Sequence, residues 1–201
     1  NALHPSLKSK IMPILSNSLV TRALTPDERQ AAGLHSTTFV TDTRTLRFYY
    51  RLLPDGRVQI GSRSSITGAD APSPRHMQVL VDGLHRKFPA LRQVAIDHSW
   101  WGWVDVSHDM MPRITQPDTR QSVFYALGYG GNGVSFSSHA GRRLAQRIAG
   151  GSDSAFDLPI YKTPLQFPNV FDTVRSPAFA PFRRIGQRFL YRWYYLRDER
   201  L

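Results

Sequence analysis

An α+β fold, with a mainly antiparallel or mixed sheet and flanking helices, is the reading that three features of this sequence support. The first is a hairpin. Leu46–Leu53 and Arg57–Gly61 flank Pro54-Asp55-Gly56, where proline presets one backbone angle and glycine accepts a left-handed one. The second is Pro74–Phe88, in which Met77, Leu80, Val81, Leu84 and Phe88 recur at i, i+3, i+4, i+7 and i+11. That spacing predicts an amphipathic helix, and Pro89 closes it. The third is Val94–Val106, β-branched and aromatic, which reads as a long strand. Strands, one helix and further strands in that order fit a sheet with a helix on one face.

Composition narrows the function classes. The chain has 201 residues, 41% hydrophobic and 11% aromatic, enough for a true core and too apolar for disorder. It has no cysteine, which excludes disulfides, iron–sulfur clusters and thiol nucleophiles within it and favours the cytosol, so a cytoplasmic location is expected. No apolar run is long enough to span a bilayer. Lys and Arg outnumber Asp and Glu 26 to 15, giving a net charge of +11, yet no zinc-finger, RRM or helix-turn-helix signature accompanies the cations. No nucleic-acid partner is expected. The seven histidines show no metal-ligand spacing, so no metal site is expected either.

The most distinctive stretch runs from Val123 to Ala149. It reads as a buried strand (Val123–Leu127), a loop holding Gly128, Gly130, Gly131 and Gly133, and a helix with Ser137, Ala140, Gly141, Leu144 and Ile148 on one stripe. Glycines permit a sharp bend and close approach of a ligand. The helix start offers unpaired N–H groups and the positive end of its dipole. Two readings stand at this level: a packing turn, or a cradle for a partly negative ligand. The glycine spacing does not match a dinucleotide fingerprint, and no Gly-Lys-Ser/Thr phosphate loop is present.

Upstream lies His98-Ser-Trp-Trp-Gly-Trp-Val-Asp-Val-Ser-His-Asp-Met-Met-Pro-Arg-Ile114. With Gly102, Ser107-His108-Asp109, Pro112 and Ile114, followed by Gly128-Tyr-Gly-Gly-Asn-Gly133 and Gly141, the chain resembles the C-terminal half of the FAD-dependent amine and amino-acid oxidoreductases, the D-amino-acid oxidase and glycine oxidase superfamily. Asn1-Ala2, Pro13-Ile-Leu-Ser and Val20–Leu24 follow that family's order, and the basic aromatic tail resembles its γ-glutamylputrescine-oxidase-like branch.

The resemblance implies a division into residues 1–14 (end of an FAD-binding part), 15–115 (substrate domain), 116–150 (C-terminal strand–helix segment of the FAD-binding domain) and 151–201 (basic aromatic extension). It implies FAD, held non-covalently as far as this segment goes, and a small-molecule amine as substrate. The Gly-x-Gly-x-x-Gly unit that opens such proteins does not occur in these residues. The N-terminal Rossmann half is therefore expected as a missing partner, and the chain alone is expected to be inactive and not to retain the cofactor.

The flavin is expected against Gly130, Gly131, Asn132, Gly133 and Val134, whose amides and helix dipole would stabilise negative charge on it. The substrate pocket is expected at Trp101, Trp103, Val104 and Tyr50. Val104 stands where the glycine-oxidase pattern places a carboxylate-clamping arginine. This disfavours free α-amino acids unless Arg51 or Arg63 supplies the charge. No catalytic acid–base pair is evident, and His108 and Asp109, adjacent on an extended chain, point to opposite faces.

Trp100, Trp101 and Trp103 admit a packing reading as well as a pocket wall. The tail also admits two. Ile185, Phe189, Trp193 and Leu196 form one helical stripe with Arg184, Arg188 and Arg192 elsewhere. Docking on the chain's own body is the favoured reading, and a non-catalytic membrane-surface module is the alternative.

Overall fold

The hairpin forms around Pro54-Asp55-Gly56. In the computed structural model, which describes residues 12–65, 71–107, 111–116, 118–151 and 180–198, β3 (Tyr49–Leu52) and β4 (Val58–Ser65) pair antiparallel with Leu52 opposite Val58. Gly56 takes the left-handed φ of 82° that the turn needs. β1 (Met12–Thr21) pairs antiparallel with β4, Leu19 facing Ile60, after a register shift between Leu15 and Ser16. β2 (Val40–Thr41) lies antiparallel to β3, and β5 (Ile96–Val106) completes the five-stranded order β2-β3-β4-β1-β5.

Strand alternation sends Leu19, Leu52, Val58 and Ile60 to one face, where they meet Leu80, Leu84 and Phe88 of the α2 region (Pro74–Lys87). The buried side of α2 is His76, Leu80, Gly83 and Leu84. Met77, expected inside, is 37% exposed. The face turns because Phe48 leans against Gly83: a Cβ built there would lie 2.6 Å from the Phe48 ring, and Phe48 is itself buried. Gly83→Ala is therefore expected to destabilise the protein although alanine is the better helix former. Overpacking costs about 1–3 kcal/mol against a propensity gain of about 1 kcal/mol. A thermal melt that rises with this change would show that Phe48 repacks freely.

α1 (Pro26–Ala31) has no counterpart among the expected elements, although Thr25-Pro-Asp-Glu carries the capping-box spacing. The Thr25 hydroxyl accepts from the Glu28 N–H, and the Glu28 carboxylate accepts from the Thr25 N–H. Arg22 grips the same carboxylate at 2.6 and 2.8 Å. The Arg22 guanidinium, and then the Thr25 amide, hold the Glu28 carboxyl down at about 2, against 4.5 ordinarily. A depressed acid stabilises fully above its unfolded value and loses that contribution as pH falls through its folded one. The drop in melting temperature between about pH 5 and pH 2 should accordingly shrink in Glu28→Gln. An unchanged drop would place the acid sensitivity elsewhere.

The chain divides into two compact units, residues 14–103 with 184–201 and residues 1–13 with 104–183, the cut falling inside β5 between Trp103 and Val104. In the second unit β6 (Arg113–Thr115) pairs antiparallel with β7 (Tyr125–Leu127), which is shorter than the expected strand from Val123. α3 (Gly133–Ile148) packs on this ribbon through Ala140, Phe136 and Leu144, around Ile114. The expected stripe is thus rotated: Ser137, Gly141 and Ile148 are exposed.

The C-terminal helix α4 (Ala180–Asp198) belongs mostly to the sheet unit. Its Asp198 carboxylate accepts the N–H groups of Thr45 and Leu46, at 3.2 and 2.9 Å. Among the described residues no helix is long and apolar enough to cross a membrane.

Candidate functional site

β7 ends in a turn whose backbone only glycine adopts easily. Gly128, Gly130 and Gly131 have φ of 79°, 60° and 98°, left-handed angles that cost other residues steric strain. Gly133 is not among the positive-φ glycines; it is the first residue of α3. The turn is tied down by Asp105. Its carboxylate accepts the Gly128 N–H in a short hydrogen bond, and its main-chain carbonyl accepts the Gly130 N–H at 3.0 Å. Val106 bridges to Tyr129 beside it, and the Ser107 hydroxyl donates to the Met111 carbonyl at 2.7 Å. Burial, and after it the Asp105 carboxylate, holds the Tyr129 phenol above its usual range.

These bonds decide which amides are open to a ligand. Of the five residues expected to line the cofactor, Gly130 is committed to Asp105, and the Asn132 N–H donates to the Tyr129 carbonyl at 3.0 Å. Gly131, Gly133 and Val134 remain, with no acceptor for their amides among the described residues. The Asn132 side chain does not cap α3, and the first turn carries no acid. Val134, at its second position, is 98% exposed. A bare turn, uncapped amides and a positive helix end suit a ligand that carries partial negative charge. Asp105 is the residue that sequence reasoning missed; nothing in the spacing shows that it reaches Gly128.

The expected pocket residues do not come together as a group. Trp101 and Trp103 share one side of β5, edge to face at 6.4 Å, and both are over 40% exposed. Trp100 is exposed as well. Val104, the next residue, points to the opposite side from Trp103. Tyr50 is separated from β5 by β4 and β1, about 14 Å at the usual strand spacing. It packs on the core instead, its ring 5.2 Å from that of Phe88. There it lines a cavity of about 230 Å³ with Leu34, Ser36, Val40 and Leu52.

Its neighbour Tyr49 takes the outward role. The Tyr49 ring lies across Gly61, where any Cβ would overlap it at 2.3 Å. Its hydroxyl meets the Ser16 and Ser18 hydroxyls at 3.2 and 3.1 Å. Register puts Arg51, Gln59 and Arg63 on this same sheet face, and Arg51 donates to Gln59 at 3.1 Å. His108 and Asp109 lie outside the described residues. Among the described residues no cluster of His, Cys, Asp or Glu could hold a metal.

Residues 1–147 match the family model described as "DAO: FAD dependent oxidoreductase". This chain belongs to the DAO family. The DAO chain is 30% identical over 165 residues to gamma-glutamylputrescine oxidoreductase of Escherichia coli, covering 81% of itself and 38% of that protein. It is 30% identical over 204 residues to a probable oxidoreductase OrdL of Rhizobium meliloti, covering 98% of itself and 42% of the relative. It therefore spans about two-fifths of the length of these curated relatives.

In fold the DAO chain is similar to glycine oxidase from Geobacillus kaustophilus (TM-score 0.60, 19% identity, 79% of this chain and 40% of that one). A second likeness is to L-proline dehydrogenase from P. horikoshii (TM-score 0.57, 18% identity, 71% and 37%). Proteins of the DAO family use FAD.

Proposed function

We propose that this chain forms part of an FAD-dependent oxidoreductase that oxidises the C–N bond of an amine to an imine. The observation that carries the reading is the glycine turn with its uncapped helix start, in a chain of this family. When bound, FAD supplies the hydride acceptor for the carbon that carries the substrate nitrogen. The chain's own residues do the rest. The amides of Gly131, Gly133 and Val134 and the α3 dipole would hold the cofactor and stabilise partial negative charge on it. Asp105 keeps those amides in place by holding the turn from behind. Trp101 and Trp103 offer exposed aromatic faces to a cationic amine, an attraction of about 0.5–2 kcal/mol.

Valine at position 104 supports an amine over a free α-amino acid, since it cannot make the paired hydrogen bonds a carboxylate takes from arginine. Arg51 and Arg63 favour one refinement. They share the polar sheet face with Tyr49, and cations there suit an amine that also carries a carboxylate, as an acylated polyamine can. Anaerobic reduction of the flavin in the full-length protein by amines and by amino acids tests the reading: amines, and conjugates with a distant carboxylate, should be the faster group.

A further inference from the structure

α4 carries arginine at positions 183, 184, 188, 192 and 197 and a single acid, Asp198. That acid is 3% exposed and is taken up by the Thr45 and Leu46 amides. Tyr191 and Tyr194 follow the same edge of the helix and are half-buried, and Arg197 reaches the Thr45 hydroxyl. These contacts fix which way the helix faces.

On its far side Ile185, Phe189, Trp193 and Leu196 fall in one sector of about 80°, at about 100° per residue. They are 46%, 69%, 54% and 48% exposed. Arg188 and Arg192 border this sector on one side. Arg197 borders it on the other, with its guanidinium 4.9 Å from the centre of the Trp193 ring. A solvated helix turns its charges outward and its apolar residues inward. Here the outward face is an apolar stripe about 16 Å long, from 11 rises of about 1.5 Å, with cations along both borders.

We propose that α4 is an interfacial helix that seats the protein on an anionic lipid surface. Ile185, Phe189, Trp193 and Leu196 enter the boundary between headgroups and acyl chains, and Arg188, Arg192 and Arg197 meet lipid phosphates. Charge selects this occupant. A second copy would bring an equally cationic helix with no free acid, and the two would repel. Cations along both borders match a negative plane rather than a single acidic spot, and tryptophan and tyrosine are residues of the membrane–water interface. The helix lies on the surface rather than crossing it, as the arginines require.

Sedimentation of the full-length protein with vesicles tests this. Phosphatidylcholine containing about one-third phosphatidylserine should pellet the protein, and phosphatidylcholine alone should not. Raising salt from about 0.1 M to about 1 M should release it, as the screening length falls from about 10 Å to about 3 Å. Phe189→Ser with Trp193→Ser should abolish pelleting, with circular dichroism confirming an unchanged fold. Arg188→Gln with Arg192→Gln should weaken it about 25-fold, about fivefold per arginine. Absence of pelleting with either vesicle, or equal pelleting with both, overturns the proposal. So does a stable dimer that the Phe189/Trp193 variant dissociates, which would give the stripe to a second copy.

Discussion

Gly128→Val is expected to abolish flavin binding by the full-length protein and to lower its stability by about 2–4 kcal/mol. Gly128 is buried at φ 79°, an angle that a β-branched residue adopts only under strain. A Cβ there would lie 3.4 Å from the Met111 carbonyl oxygen and 3.5 Å from the Ser107 Cβ, so valine's two further methyls have nowhere to go. The backbone must move, and the amides of Gly131 and Gly133 move with it. Gly150→Val is the control. Gly150 is also left-handed, at φ 75°, but nothing lies within 4 Å of its added Cβ. It should lose only the strain, about 1–2 kcal/mol, and keep the flavin. Equal flavin loss in both variants would mean that general destabilisation, and not the turn, governs cofactor retention. Flavin titration beside a thermal melt separates the two.

Asp105→Ala should cost about 1.5–3 kcal/mol, the contribution of a hydrogen bond to a charged group, because the buried Gly128 amide is left without its acceptor. The loss belongs to positioning, since Asp105 holds the turn and not the ring. Asp105→Asn is the informative partner. An asparagine oxygen can still accept from Gly128, so most of the stability should return. The negative charge beside the glycine turn would then be gone, and for a flavin seated there as proposed the midpoint potential should rise, because the reduced form carries the greater negative charge. An Asp105→Asn variant with an unchanged potential would confine Asp105 to the fold. Amide exchange at Gly128, faster in alanine than in asparagine, reports the hydrogen bond itself.

Local signals are legible in this sequence, whereas registers depend on contacts between distant residues. Pro54-Asp55-Gly56 specifies its hairpin because the turn residues sit next to the strands they join. α2 begins and ends where its two prolines place it. Its buried face is turned by Phe48 against Gly83, a contact between residues 35 apart that periodicity cannot contain. Tyr49 and Tyr50 show the same limit. Adjacent strand residues face opposite ways, and only the pairing of β3 with β4 and β1 decides which of the two meets Ser16 and Ser18. In the glycine turn the residue types point to a ligand cradle. Which amides stay open depends on Asp105, 23 residues earlier, and on Tyr129. The capping box of α1 is legible in Thr25-Pro26-Asp27-Glu28.

The most direct test of the central claim is anaerobic stopped-flow reduction of the flavin by a panel of substrates. Polyamines or their acyl conjugates should bleach it fast, and glycine, sarcosine and proline slowly. The margin should be about one to two decades, the value of one charge-assisted bidentate contact that Val104 cannot make. The opposite order, with free amino acids reducing the flavin fastest, would contradict that claim and would show that another arginine, Arg51 or Arg63 first among them, clamps the substrate carboxylate.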